Sequence, residues 1–208
     1  MKRDELEHVI RASGNLLHED AVVIVGSQAI LGSVPDDLPK EVTLSAEVDV
    51  MAIDDPTGEK ALRINGALGE LTRFNETFGY YAEGVEDALC RFPAGWRDRL
   101  IEVNTPNTNG VTGLCPEPHD LCVAKLLAGR DKDLKYVAAL LRSGHIKPEL
   151  LLERLGETES TDDEFRRIVG FVKRVARPGR RNKARHVVRA AEKEASDRAT
   201  GGSDDRSS

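Results

Sequence analysis

Two short stretches carry residue types that could handle a phosphorylated ligand. The first is Gly26-Ser27, which follows the apolar run Ala21-Val-Val-Ile-Val25 and precedes Gln28-Ala-Ile-Leu31. A glycine lets backbone approach a phosphate, a serine hydroxyl donates to it, and the free N–H groups of a following helix favour negative charge. The second is Glu47-Val48-Asp49, inside the segment Ser45–Ile53. In an extended chain the period of two sets Glu47 and Asp49 on one face and Val48, Val50 and Ala52 on the other. Two carboxylates on one face of an otherwise apolar strand are costly unless something neutralises them. Either a cation such as Mg²⁺ binds them, with phosphate oxygens as further ligands, or the strand lies at a sheet edge with its acidic face in water. The Gly-Ser turn is open in the same way, because a strand-to-helix turn of this composition also serves purely structural ends.

The elements that must position these residues follow from periodicity. Residues 4–18, with Leu6, Val9, Ile10, Leu16 and Leu17, suit an amphipathic helix. The run 21–25 is β-branched and too short for a helix, so it predicts a buried strand. A short helix is expected from Gln28, a loop from Gly32 to Pro39, and a second strand within 42–53. Residues 59–73 suit a helix, 78–81 a short strand or turn, and 100–103 a third strand leading into a turn from Asn104 to Gly113. Helical character dominates from Pro118 to Leu141, with further helices near 148–155 and 161–175. A basic helix to about residue 195 and a polar, disordered tail complete the reading.

Composition bounds the class. The 208 residues are 39% hydrophobic and 32% charged, as in a globular protein. No apolar run approaches the roughly 20 residues that cross a bilayer, and the charged start Met1-Lys-Arg-Asp-Glu offers no signal-peptide core, so a cytoplasmic location without membrane contact is expected. Three cysteines without a CxxC pair suggest neither a disulfide framework nor a zinc site. His119-Asp120 spells the pair used by metal phosphohydrolases, but the remaining histidines fall in no suitable pattern, and capping of a helix start is expected instead. Trp96 and Tyr80-Tyr81 read as core or groove lining. The net charge of −6 hides an asymmetry: residues 165–191 contain ten basic residues and no acidic one, leaving −16 on the rest. That stripe either grips an RNA backbone, as a footprint across residues 166–189 would, or packs against the acidic body.

In this order and spacing, Val25-Gly26-Ser27 and Glu47-Val48-Asp49 resemble the signature of the nucleotidyltransferase superfamily. The segments Phe74–Tyr81, Pro93–Leu100, Glu117–Leu121 and Lys125–Leu134 are similar to a bacterial branch akin to the AbiEii-type toxins of abortive-infection and toxin–antitoxin systems, over about residues 20–155. The resemblance implies an α/β (α+β) fold, a mixed sheet flanked by helices with a C-terminal helical extension. It implies a core over 1–115, a helical subdomain over 116–195 completing a nucleotide cleft, and a tail over 196–208.

The same resemblance implies an Mg²⁺-dependent enzyme that moves a nucleoside monophosphate from an NTP to a tRNA or protein hydroxyl, with an antitoxin protein as a partner. The metal ligands would be Glu47 and Asp49. Gly26 and Ser27 would hold phosphates, Lys125 would contact them from a helix, and Asp133 would complete the catalytic set with Asp49 and Lys125. Arg130 would add a phosphate contact. On one continuous helix Lys125 and Asp133 would lie roughly 80° apart, compatible with one cleft. Two departures stand out: Glu47 replaces the usual aspartate, and a third strand carboxylate is hard to place, since Glu102 alternates correctly but sits where this branch is not expected to need an acid. Catalytically weak nucleotide binding and RNA binding on the same scaffold are the rival readings.

Overall fold

The computed structural model of the chain describes residues 1–177 apart from Pro35, Ala88 and Leu89. The basic helix expected to residue 195 and the tail 196–208 therefore lie outside the described residues. Met1–Val175 form one unit around a five-stranded mixed sheet of order β3-β2-β1-β5-β4. Its strands are β1 (Ala21–Val25), β2 (Glu47–Met51), β3 (Tyr81–Gly84), β4 (Ile101–Val103) and β5 (Thr112–Cys115). The centre, β1, runs antiparallel to β2 and parallel to β5; β3 is parallel to β2, and β4 antiparallel to β5.

Alternation along the strands divides the apolar side chains between the two faces. Val22, Ile24, Val48, Val50 and Ala82 enter the larger core with Leu6, Val9 and Ile10 of α1 (Arg3–Leu17) and Ile64 of α2 (Glu59–Leu68). On the other face Val23, Val25 and Met51 meet Trp96, whose ring stacks on Phe92 with centroids 4.4 Å apart. Trp96 is thus core, as expected.

Four expected elements take a different form. The helix expected over 59–73 ends at Leu68 as α2, a further helix, α3 (Arg73–Phe78), follows it, and where a short strand or turn was expected at 78–81 the strand starts only at Tyr81. The turn expected to reach Gly113 gives way to β5, which pairs on both sides. Its glycine is a packing requirement, because a Cβ at Gly113 would lie 2.4 Å from Ile10 Cδ1 in the overlying α1. The helix from Pro118 breaks into α4 (Pro118–Ala128) and α5 (Asp131–Ser143), since Gly129 caps α4 with a left-handed φ of 67°. α6 (Pro148–Gly156) and α7 (Asp162–Ala176) follow as the periodicity predicts.

The cap of α4 also differs. Glu117, not His119-Asp120, caps it, its carboxylate accepting from the His119 N–H at 2.9 Å. Asp120 is buried and accepts from Arg99 Nε at 2.8 Å, with Arg154 3.4 Å away. His119 accepts the Lys147 N–H at 2.9 Å, tying α6 to α4. None of this is metal-site geometry.

Candidate active site

β1 ends at Gly26, whose φ of 66° and ψ of −159° belong to a region open in practice only to glycine. A Cβ there would sit 1.7 Å from Asp49 Oδ2, so the bare Cα is also what lets the carboxylate lie against the turn. Ser27 opens a 3₁₀ helix, Ser27–Gly32, where a short helix was expected. Its carbonyl accepts from Tyr136 Oη at 2.7 Å, and its hydroxyl accepts from Lys125 Nζ at 3.0 Å.

Register explains the acidic side. Val25 pairs with Asp49, and Asp49 pairs with Glu83 of β3, so these residues form one row on one face. Glu47, two residues back, pairs with Tyr81, whose hydroxyl donates to Glu47 Oε2 at 3.0 Å. One oxygen from each of Glu47, Asp49 and Glu83 lies within 4.8 Å of the others. Burial and then the charge of Glu47 hold the Asp49 carboxyl above its ordinary range, and Glu83 is raised by burial and by both neighbours. The Tyr81 phenol, partly screened and donating to Glu47, is pushed up to about 12. Three hard oxygen donors crowded at a cost are a set that a small divalent cation such as Mg²⁺ fits.

Opposite them stand cations. Lys125 of α4 is buried, and Asp133 Oδ1 lies 3.4 Å from its ammonium. Burial lowers the Lys125 pKa, and the Asp133 carboxylate works against that. Arg130, in the bend between the helices, donates from Nε to Asp133 Oδ2 at 2.6 Å. Asp133 is therefore a buried anchor that fixes two cations at once. It meets Lys125 across the Gly129 break and not by phase along one helix.

All seven expected positions, Gly26, Ser27, Glu47, Asp49, Lys125, Arg130 and Asp133, line one cleft of about 550 Å³. Sequence reasoning missed Glu83, Lys132 and Tyr136, which line it too. Glu83 was findable: it alternates with Tyr81 exactly as Asp49 does with Glu47, once the strand is allowed to run on to Gly84. Glu102, the acid that did alternate correctly, lies exposed on β4 at the far edge of the sheet, with β1 and β5 between it and β2. Among the described residues, no helix is long and apolar enough to cross a membrane.

A Gly-Ser turn facing a carboxylate-bearing strand, with helix cations across the cleft, is an arrangement suited to a phosphorylated ligand and a divalent metal. The chain belongs to the family described as nucleotidyltransferase of unknown function (DUF6036), whose family model matches residues 4–174. No curated protein and no solved structure matches the chain.

Proposed function

We propose that the chain is an Mg²⁺-dependent enzyme that transfers a nucleoside monophosphate from an NTP to the 3′ hydroxyl of a tRNA. The observation that carries this reading is the cluster of Glu47, Asp49 and Glu83 directly against the Gly26-Ser27 turn. Glu47, Asp49 and Glu83 would hold the metal, which when bound offsets phosphate charge and makes the attacking hydroxyl more acidic. Gly26 admits the terminal phosphates to the backbone, and the Ser27 hydroxyl donates to them. Lys125 and Arg130 supply fixed positive charge where negative charge gathers on the leaving pyrophosphate. Asp133 holds both cations in place, so they need no reorganisation when the α-phosphorus–oxygen bond breaks and the acceptor oxygen takes its place.

The tRNA acceptor rests on the similarity to AbiEii-type toxins and on the basic stretch from residue 166. A protein hydroxyl is the acceptor alternative, and the similarity also suggests a toxin held in check by an antitoxin protein. The missing third acid, which favoured a binding module without turnover, is supplied by Glu83. The test is incubation with Mg²⁺, each α-labelled NTP and total tRNA. Label should pass to tRNA with release of pyrophosphate, and Asp49→Asn should lower the rate at least a hundredfold. No pyrophosphate release with any NTP would reject the transferase reading. Release with label found on protein would move the acceptor.

A further inference from the structure

A second groove of about 680 Å³ lies between α5, α7 and the turn at residues 39–42. Its floor is apolar, formed by Ala138 and Ala139 of α5 and Phe171 of α7. Its rim is basic, formed by Lys135, Arg142 and Arg174, with the Arg174 guanidinium 5.8 Å from the Phe171 ring centre. Glu41 is the one acid lining it among the described residues, and Glu41 also lines the nucleotide cleft, so the two spaces adjoin.

Lys132, in the cleft, begins a row that Lys135 and Arg142 continue. At about 100° per residue these three span about 80° of the α5 surface, over a rise of about 15 Å. All three are exposed, and no acidic residue occurs from Leu134 to Pro148. Among the described residues none of the three, nor Arg174, has an ion-pair partner. A solvated helix face normally intersperses both signs. One sign held over 15 Å, on a chain of net charge −6, fits an extended polyanion. An apolar and aromatic floor between cationic rims fits one with bases to lay down, which is how single strands are gripped.

We propose that this groove carries the unpaired 3′ segment of the RNA acceptor. Its phosphates lie on Lys135, Arg142 and Arg174, its bases lie over Ala138, Ala139 and Phe171, and its terminal hydroxyl passes Lys132 into the carboxylate cleft. The inference rests on the RNA-acceptor reading above. It is tested with the full chain by measuring binding of labelled oligouridine and labelled tRNA across a salt series, for the parent and for Lys135→Ala/Arg142→Ala. Both positions are exposed, so the fold should be kept. The slope of log affinity against log salt should become shallower by about 1.4, at about 0.7 per lost single-strand contact, while Mg²⁺-NTP binding stays the same. Polyglutamate should fail to displace oligouridine. An unchanged slope overturns the groove assignment and leaves the RNA acceptor standing. Equal displacement by polyglutamate overturns it in favour of an acidic protein segment. No salt-dependent RNA binding by the parent removes the RNA-acceptor reading itself, and the groove assignment with it.

Discussion

Asp49 lies against the bare Cα of Gly26, directly across from Glu83 on the neighbouring strand, with Glu47 beside it on the same face. Burial and these neighbours favour its neutral form, so its pKa is raised in the fold. A carboxyl with a raised folded pKa contributes stability that is fully present below its unfolded value and is lost as pH rises through the folded value. Asp49→Asn is neutral at every pH and keeps that contribution. In metal-free buffer the variant should therefore be more stable than the parent at pH 8, by about 0.2–1 kcal/mol, the size of a directly opposed like-charge pair. The advantage should shrink to nothing at acid pH, where the parent carboxyl is itself protonated. Urea unfolding at both pH values, with chelator present, measures it. An advantage that does not depend on pH would mean that the carboxylates are not in electrostatic conflict, and the strongest physical reason for a cation between them would go.

At the scale of elements, what the sequence made legible was what local pattern determines. The β-branched run of β1, the alternation of Glu47 and Asp49, and the helical periods of α1, α6 and α7 need no knowledge of neighbours. Hidden features were those whose cause lies elsewhere in the fold. Gly113 reads locally as a turn, yet it sits in a strand paired with Val22 and Val103, where Ile10 of α1 leaves no room for a Cβ. The alternation of Glu83 with Tyr81 is local, but that it completes the acidic row follows only from register, which sets it opposite Asp49. Lys125 and Asp133 were assigned to one cleft by resemblance, but their contact depends on the chain turning at Gly129, which a single helical period conceals. Gly113→Ala tests the packing account. It places a methyl group within 2.4 Å of a fully buried isoleucine, and overpacking of this kind costs about 1–3 kcal/mol. Chemical unfolding should show that loss, and adding Ile10→Val should recover part of it. If Gly113→Ala alone were neutral, α1 would not approach the sheet as closely as described.

For the whole molecule, the cleft joins parts of the chain that are far apart in sequence. The carboxylates come from β2 and β3, the Gly26-Ser27 turn from the end of β1, and the cations from α4 and α5. A nucleotide with Mg²⁺ would bridge the sheet and the helices, contacts that the unfolded chain cannot reproduce. Binding to the folded state alone stabilises it by about 2.7 kcal/mol when free ligand is a hundred times Kd. For a chain of this length each kcal/mol raises Tm by about 2–4 °C, so Mg²⁺-NTP should raise Tm by about 5–11 °C. Each component separates one part of the site. NTP without Mg²⁺ should give much less, because the cluster of Glu47, Asp49 and Glu83 then repels the phosphates. Asp49→Asn should abolish the metal-dependent part, while Lys125→Ala should lower the shift without removing its dependence on Mg²⁺. Differential scanning fluorimetry with each NTP reads all of these arms. A shift of equal size with and without Mg²⁺, or one that Asp49→Asn leaves intact, would show that the nucleotide is held without the carboxylate cluster, and the metal assignment would fall with it.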